Sequence, residues 1–346
     1  MAMEQAGLGR RGALALLASM AAMRGSLPRA RAADTLRLGL LHTLSPAPFY
    51  IAQQRGYFAA EGVDVTFRFF QAAQPIAAAA VAGDIDLGVT ALTGGFFNLA
   101  ETGALKVIGG ALHEEPGYDG SAIVVSDAAF KAGLTTPAKL GGHSFAITQY
   151  GSSFHYMIGR IAAARGFDLS SLHLRVVQTL PNMLAAVQSG QVDATIAIAS
   201  MARPLQAAGQ GHIIGWVGNI VPYQITALFA TATVLARRAD AVKRFARGYS
   251  HCIADYRQAF LRLDAAGKPI HDAATDAAIP LIQKYVFTGD PDAARKIIDG
   301  VGYYDAGGAL DVKDVAAQLA WFRKQGLVKG DLDAVAIIDT GFLPQR

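Results

Sequence analysis

The chain has 346 residues, 52% of them hydrophobic, with 31 Lys and Arg against 27 Asp and Glu. The first 32 residues carry five of the arginines and one glutamate, so residues 33–346 hold 26 basic and 26 acidic side chains, and this neutral body gives no argument for nucleic-acid binding. A single cysteine, Cys252, excludes an internal disulfide and a thiolate metal site.

Residues 1–32 read as an export signal. Arg10 and Arg11 precede an apolar run from Gly12 to Met23, and Ala30-Arg31-Ala32 forms a small-x-small cleavage site, which puts a mature N-terminus near Ala33 and the protein in the periplasm. The run is too short to span a bilayer as a mature helix. The arginine pair suits twin-arginine export, whereas Gly9 and Ala13 fit it poorly, so Sec export stays open; with no cysteine after the site, a lipid anchor is not expected.

From Ala33 the pattern alternates strands and helices. Strand 36–41 leads through the loop His42 to Pro48 into a helix over 49–60. Strand 63–70 follows, then loop 71–74 and an Ala-rich helix ending at Gly83. Strand 85–89 runs into Thr90-Ala91-Leu92-Thr93-Gly94, helix 95–101 and strand 106–110, and the apolar run 122–125 carries the chain across. The order then recurs: strand 143–148, loop 149–153, a helix to Arg165, strand 174–177, a helix to Gly190, and strands 192–199 and 213–217. Run 225–235 returns the chain, and helices are expected over 239–263, 273–286, 290–299 and 312–325.

This recurrence is visible residue by residue. Ala82-Gly83-Asp84-Ile85-Asp86-Leu87 reappears 107 positions later as Ser189-Gly190-Gln191-Val192-Asp193-Ala194, a helix end, a Gly and an Asp-closed turn before a buried strand. Asp86 and Asp193 are expected to bond backbone N–H groups rather than to react. Gly56 and Gly62 are expected at turns that need positive φ, with Tyr57 and Phe58 in the core. The reading is an α/β chain of two lobes, 33–121 with 225–346 and 122–224. Two crossings between lobes make a hinge, and ligands of such sheets bind outside the strands' carboxyl ends.

The segment Phe49-Tyr50-Ile51-Ala52-Gln53-Gln54-Arg55-Gly56-Tyr57-Phe58-Ala59-Ala60-Glu61-Gly62-Val63-Asp64-Val65 resembles the signature of ABC-importer substrate-binding proteins of the aliphatic-sulfonate, taurine, nitrate and thiamine-pyrimidine-like group. The resemblance continues through Tyr150-Gly151-Ser152-Ser153-Phe154-His155-Tyr156, Gly190-Gln191-Val192-Asp193-Ala194 and the closing helix with Trp321. It implies a type II periplasmic-binding-protein fold, a monomer that takes a small-molecule ligand, and partners in an inner-membrane ABC permease and its ATPase. It implies no cofactor, and it leaves the cargo open.

The loop Gln149, Tyr150, Gly151, Ser152 and Ser153 is the first candidate for ligand binding. Gly151 allows close backbone approach, and the serines stand at a helix N-terminus, where anions are favoured; the same serines also suit a plain cap. Ser45, Thr90 and Thr93 lie at strand ends of the first lobe. Arg203 is a bidentate donor for a carboxylate or sulfonate, or else a solvated side chain. Gln71, Gln74, Asn182 and Gln224 are loop amides able to fix polar groups, and Phe49, Tyr150, His155 and Tyr223 are candidates for an apolar wall. His113, Glu114 and Glu115 read equally well as surface charge.

Catalytic patterns are missing. No His-x-x-x-His or His-x-His pair, Gly-x-Ser-x-Gly or phosphate-binding Gly-x-x-x-x-Gly-Lys occurs, and the Cys-rich segment that the resemblance associates with pyrimidine-synthesising relatives is absent. The expected function is a non-enzymatic receptor for a small organic anion, a sulfonate or carboxylate. A neutral heterocycle, an exported enzyme or a sensor partner on the same scaffold, and a purely structural interaction protein remain as alternatives.

Overall fold

The computed structural model describes residues 33–331 and 333–346; the export-signal reading falls on residues outside these. Strands β1 (Asp34–Leu41), β2 (Val63–Phe70), β3 (Leu87–Ala91), β4 (Leu105–Gly110) and β12 (Thr226–Thr231) form one sheet in the order β2-β1-β3-β12-β4. The first three strands are mutually parallel, and β12 runs antiparallel to both of its neighbours.

The second sheet repeats this plan. It contains β6 (Ser121–Val125), β7 (Ser144–Ile147), β8 (His173–Val176), β9 (Ala194–Ile198) and β10 (His212–Trp216), ordered β8-β7-β9-β6-β10. Here β7, β8 and β9 are parallel and β6 is antiparallel. In each sheet, then, the strand opposed to the rest is an apolar run on which the chain passes from one sheet to the other. Strands β3, β6 and β12 are buried throughout. That explains why they read as mostly apolar runs with no alternation.

The two aspartates occupy matching places. Asp86 accepts the Arg37 N–H at 2.8 Å and Asp193 accepts the Ser144 N–H at 2.8 Å, each reaching back 49 residues to the parallel strand beside its own, β1 and β7. Because Asp86 is drawn into this turn, β3 starts at Leu87 and not at Ile85.

Helices α1 (Ala47–Gln54) and α2 (Tyr57–Ala60) replace the single helix expected over 49–60. The break is at Gly56, whose φ of 72° no helix accommodates. The helices α3 (Ala73–Val81) and α4 (Gly94–Glu101) complete the layers of the first sheet. The second carries α5 (Asp127–Lys131), α6 (Ser153–Arg165), α7 (Leu180–Gln188) and α8 (Ala199–Ala207).

The C-terminal part adds α9 (Ala232–Phe260), α10 (Ala273–Gln283), α11 (Ala293–Ile298) and α12 (Val312–Lys324). Buried Val242, Phe245, Tyr249, Cys252, Ile253 and Tyr256 fall on one stripe of α9, the helical period of a core-facing surface. This helix starts seven residues before its expected first turn and bends at Arg238, where φ and ψ are −140° and 28°.

Where the chain crosses, β5 (Leu112–Glu114), β11 (Tyr223–Gln224) and β13 (Tyr303–Tyr304) make a small third sheet, with β5 antiparallel to both others. These strands are too short to register in the sequence pattern. They also correct the surface-charge reading: His113 is 2% and Glu114 1% exposed. Burial pushes the Glu114 carboxyl above the ordinary range, although its Oε2 accepts the Ser121 N–H at 3.1 Å.

Candidate functional site

A cleft runs between the helices of the two sheets, beyond the carboxyl ends of the parallel strands. Its inner end, about 70 Å³, is lined by Ser45, Gln71, Gln74, Thr93, Gln149, Ser152 and Ser153 among the sequence candidates. Thr148, Phe154, Gln178, Leu180 and Ile198 complete much of the wall. Its outer part, about 420 Å³, lies against Phe70, Tyr285, Phe287, Leu180 and Met201. Leu41, Gln71, Leu180 and Ile198 border both parts, so the two adjoin.

Five helix N-termini meet at this cleft. Helices α3, α4, α6, α7 and α8 each follow a strand end, and residues of the first turn or cap of every one of them line the wall. Three are capped by side chains: Thr93 accepts the Phe96 N–H at 3.0 Å, Ser152 the His155 N–H at 3.3 Å, and Thr179 the Asn182 N–H at 3.3 Å. The caps of α3 and α8 are Ala72 and Ile198, which have no acceptor side chain to offer the first amides. No Asp, Glu, Lys or Arg is among the residues lining either part of the cleft. The field inside therefore comes from aligned peptide dipoles, positive at every helix start.

The two sides already touch. The Gly94 N–H at the start of α4 donates to Gly151 O at 2.9 Å, and the Gln149 amide donates to Gln74. Gly151, with φ of 78°, also gives its own N–H to His155 Nδ1 at 3.2 Å. Its positive φ serves a joint between the halves, and it is not on the cleft wall. Ser152 is both cap and wall.

Other candidates lie elsewhere, each for a packing reason. Phe49 is fully buried against Tyr249, with ring centroids 4.4 Å apart. Thr90 turns back to donate to Ala73 O at 3.2 Å. Tyr150 is 56% exposed beside His155, and His155 itself is buried between Tyr150 and Trp321. Asn182 faces an outer groove and donates to Val177 O at 2.9 Å. Arg203, expected in a loop, lies in α8, paired with Asp119 and stacked over Trp216 at 5.2 Å. Tyr223 is buried against Tyr156. Gln224 is fully buried; its amide donates to the carbonyls of Ala111, Leu112 and Thr226, which makes it a fastener of the third sheet.

Sequence reasoning missed Gln178, Ile198, Met201, Tyr285 and Phe287. Gln178 and Phe287 have φ of 71° and 60° and are the only non-glycine residues at positive φ among those described. Both line the cleft. Left-handed backbone at a bulky residue is uncommon and collects at ligand clamps, but no local sequence signal marks it.

Burial alone holds the His155 imidazole neutral, with its pKa down to about 4. The acceptor role of Nδ1 toward Gly151 places the ring proton on Nε2. A depressed folded-state pKa means that stability present above the ordinary histidine value is lost as pH falls through the window from about 6.5 to about 4. By pH 4 the loss approaches roughly 3 kcal/mol. Chemical unfolding at pH 7 and 4.5 should show wild type losing stability more steeply than His155→Gln; parallel losses would mean that the ring charges freely in the folded protein.

Among the described residues, no His, Cys, Asp or Glu side chains are grouped to hold a metal ion, and no helix is long and apolar enough to cross a membrane.

The NMT1/THI5-like family model matches residues 44–259. The chain belongs to this family. Among solved structures it is similar to the alkanesulfonate-binding protein SsuA of Xanthomonas axonopodis pv. citri bound to MOPS, at 17% identity and a TM-score of 0.68, over 89% of this chain and 99% of that one. The periplasmic aliphatic sulphonate-binding protein SsuA of Escherichia coli gives 19% identity and a TM-score of 0.68, over 89% and 92%. The periplasmic nitrate-binding protein NrtA of Synechocystis PCC 6803 gives 17% and 0.63, over 88% and 84%. At these identities the likeness shows the fold, that of the periplasmic binding proteins. No curated protein matches the chain by sequence.

Proposed function

We propose that this chain is a periplasmic solute-binding protein of an ABC importer, exported by the segment 1–32, which captures a small organic anion and delivers it unchanged to the permease and its ATPase. The lobes are 33–121 with 225–346 and 122–224, joined by the two crossings. The observation that carries the reading is the convergence of five helix N-termini on a cleft whose lining residues include no carboxylate. Such a site stabilises negative charge through peptide dipoles and N–H groups. The described relatives that bind sulfonates and nitrate support the choice of a sulfonate or carboxylate.

Capture follows from the contacts between halves. Groups from both sides, such as Gln74 and Gln149, surround the same inner space, so a ligand touching both stabilises the arrangement in which they are near.

Native mass spectrometry of the protein purified from the periplasm tests the reading. A retained organic anion, released unchanged on denaturation and restored on titration, is the expected result. A chemically altered solute after incubation would indicate an enzyme.

A further inference from the structure

The two stretches on which the chain crosses meet at one buried carboxyl, and we infer that Glu114 is a proton lock on the hinge, neutral while the stretches are packed together and ionised when they part. Rising pH then favours opening. This rests on the two-crossing reading of the lobes above.

Glu114 is the last residue of β5, just before the first crossing, and is 1% exposed. Its Oε2 accepts the N–H of Ser121, where β6 begins, at 3.1 Å, and the Gly218 amide of the stretch leading back also favours its charge. Directly across the ladder of β5 and β11 stands Tyr223, whose hydroxyl is buried without a partner. One side chain therefore touches the outgoing and the returning chain together. The space is fitted to it: a Cβ at Gly120 would stand 2.6 Å from Oε2.

What this place lacks is a cation. Oε1 is buried with no hydrogen-bond partner, and among the described residues no charged side chain acts on Glu114. The titratable group facing it from β11 is Tyr223; Tyr156 and Arg160 of α6 and Asp314 of α12 act on the Tyr223 hydroxyl in turn. His113 and Glu115, its neighbours along the chain, take the other face, where Asp305, Asp311 and Arg346 surround them. A carboxylate held by amides alone, with one oxygen orphaned, is costly to bury, and the neutral acid is not. Parting the two stretches brings water to it and lets it ionise. The packed arrangement is accordingly favoured below the ordinary carboxylate range and loses ground as pH rises from there to the raised value of Glu114, by up to about tenfold in the closed-to-open ratio per pH unit.

Residues 33–346 contain four glutamates, so carboxyl-carbon NMR of the exported protein labelled in glutamate resolves each of them. At pH 6 three should be ionised and one neutral, and Glu114→Gln should remove the neutral one. Small-angle scattering from pH 5 to pH 9 should show the wild-type radius of gyration rising, while Glu114→Gln, which still accepts from Ser121 and cannot ionise, stays compact. Burial holds the Asp314 carboxyl up to about 6, so Asp314→Asn is the control and should still expand. Four ordinary titrations in wild type, or wild type and Glu114→Gln keeping the same radius across the range, would overturn the lock. Either result leaves the receptor reading standing, because that reading is decided by the solute retained in the cleft.

Discussion

Replacing Ser153 with aspartate is expected to weaken binding of the native solute by about two orders of magnitude without destabilising the fold. Ser153 is the first residue of α6 and lines the inner end of the cleft. A carboxylate there lies on the favourable end of the helix dipole and is worth about 0.3–1 kcal/mol to the helix. An anionic ligand in the same space meets a like charge. At about 5 Å and an effective dielectric constant near 20, the repulsion is roughly 3 kcal/mol, a hundredfold or more in affinity. Ser153→Asn supplies the same bulk without the charge. Calorimetry with the solute identified by mass spectrometry should show Asp far worse than Asn. Equal effects would mean a neutral ligand. Opposite signs in stability and affinity are what separate a binding role for this turn from a structural one.

The sheets were legible because their central strands announce themselves. Residues 122–125 are apolar throughout and residues 225–231 are apolar apart from Thr226 and Thr231, and the strands they form are buried on both faces. The repeated Gly-x-x-Asp turn carried the pairing of the two halves, since both aspartates do the same backbone-bonding work. What stayed hidden was anything set by distant packing. Gln224 looks like a loop amide, and only the third sheet explains why it is buried. Arg203 looks like a free cation until Asp119, 84 residues earlier, is placed beside it.

The candidate site shows the same division. Polar residues at strand ends, such as Thr93 and Ser152, were found because helix caps have a sequence signature. The apolar wall was not, because Tyr285 and Phe287 reach the cleft from a segment more than 200 residues after the first strand, through stacking on Tyr50 and a bond from His42. Tyr223 and Phe49 were better wall candidates by type, yet the core claims them.

The repeated turns should differ in energetic weight, and burial sets the order. Asp86 is 6% exposed and accepts, besides the Arg37 N–H, its guanidinium at 3.0 Å through both oxygens, with Arg238 3.7 Å away. Asp193 has a side chain 39% exposed and accepts the Ser144 N–H and hydroxyl, both at 2.8 Å. Removing a partner from a buried, hydrogen-bonded ion pair costs about 3–5 kcal/mol. Because the Arg37 side chain is 46% exposed and can recover water, Asp86→Ala should fall at the low end of that range, about 3 kcal/mol. Asp193→Ala should cost about 1–2 kcal/mol, the lower part of the range of about 1–3 kcal/mol for leaving a backbone donor unsatisfied, because this turn is more open to water. For Asp86 burial pushes the pKa up, but the bonds from Arg37 outweigh it and the net shift is downward. Its contribution is therefore present above the ordinary carboxylate range and is lost as the pH falls through that range and below it. Urea unfolding of both variants at pH 7 and pH 3.5 should show a gap between them that narrows in acid. Equal costs at pH 7 would mean that the two turns hold their sheets through backbone geometry alone, with the carboxylate's burial adding nothing.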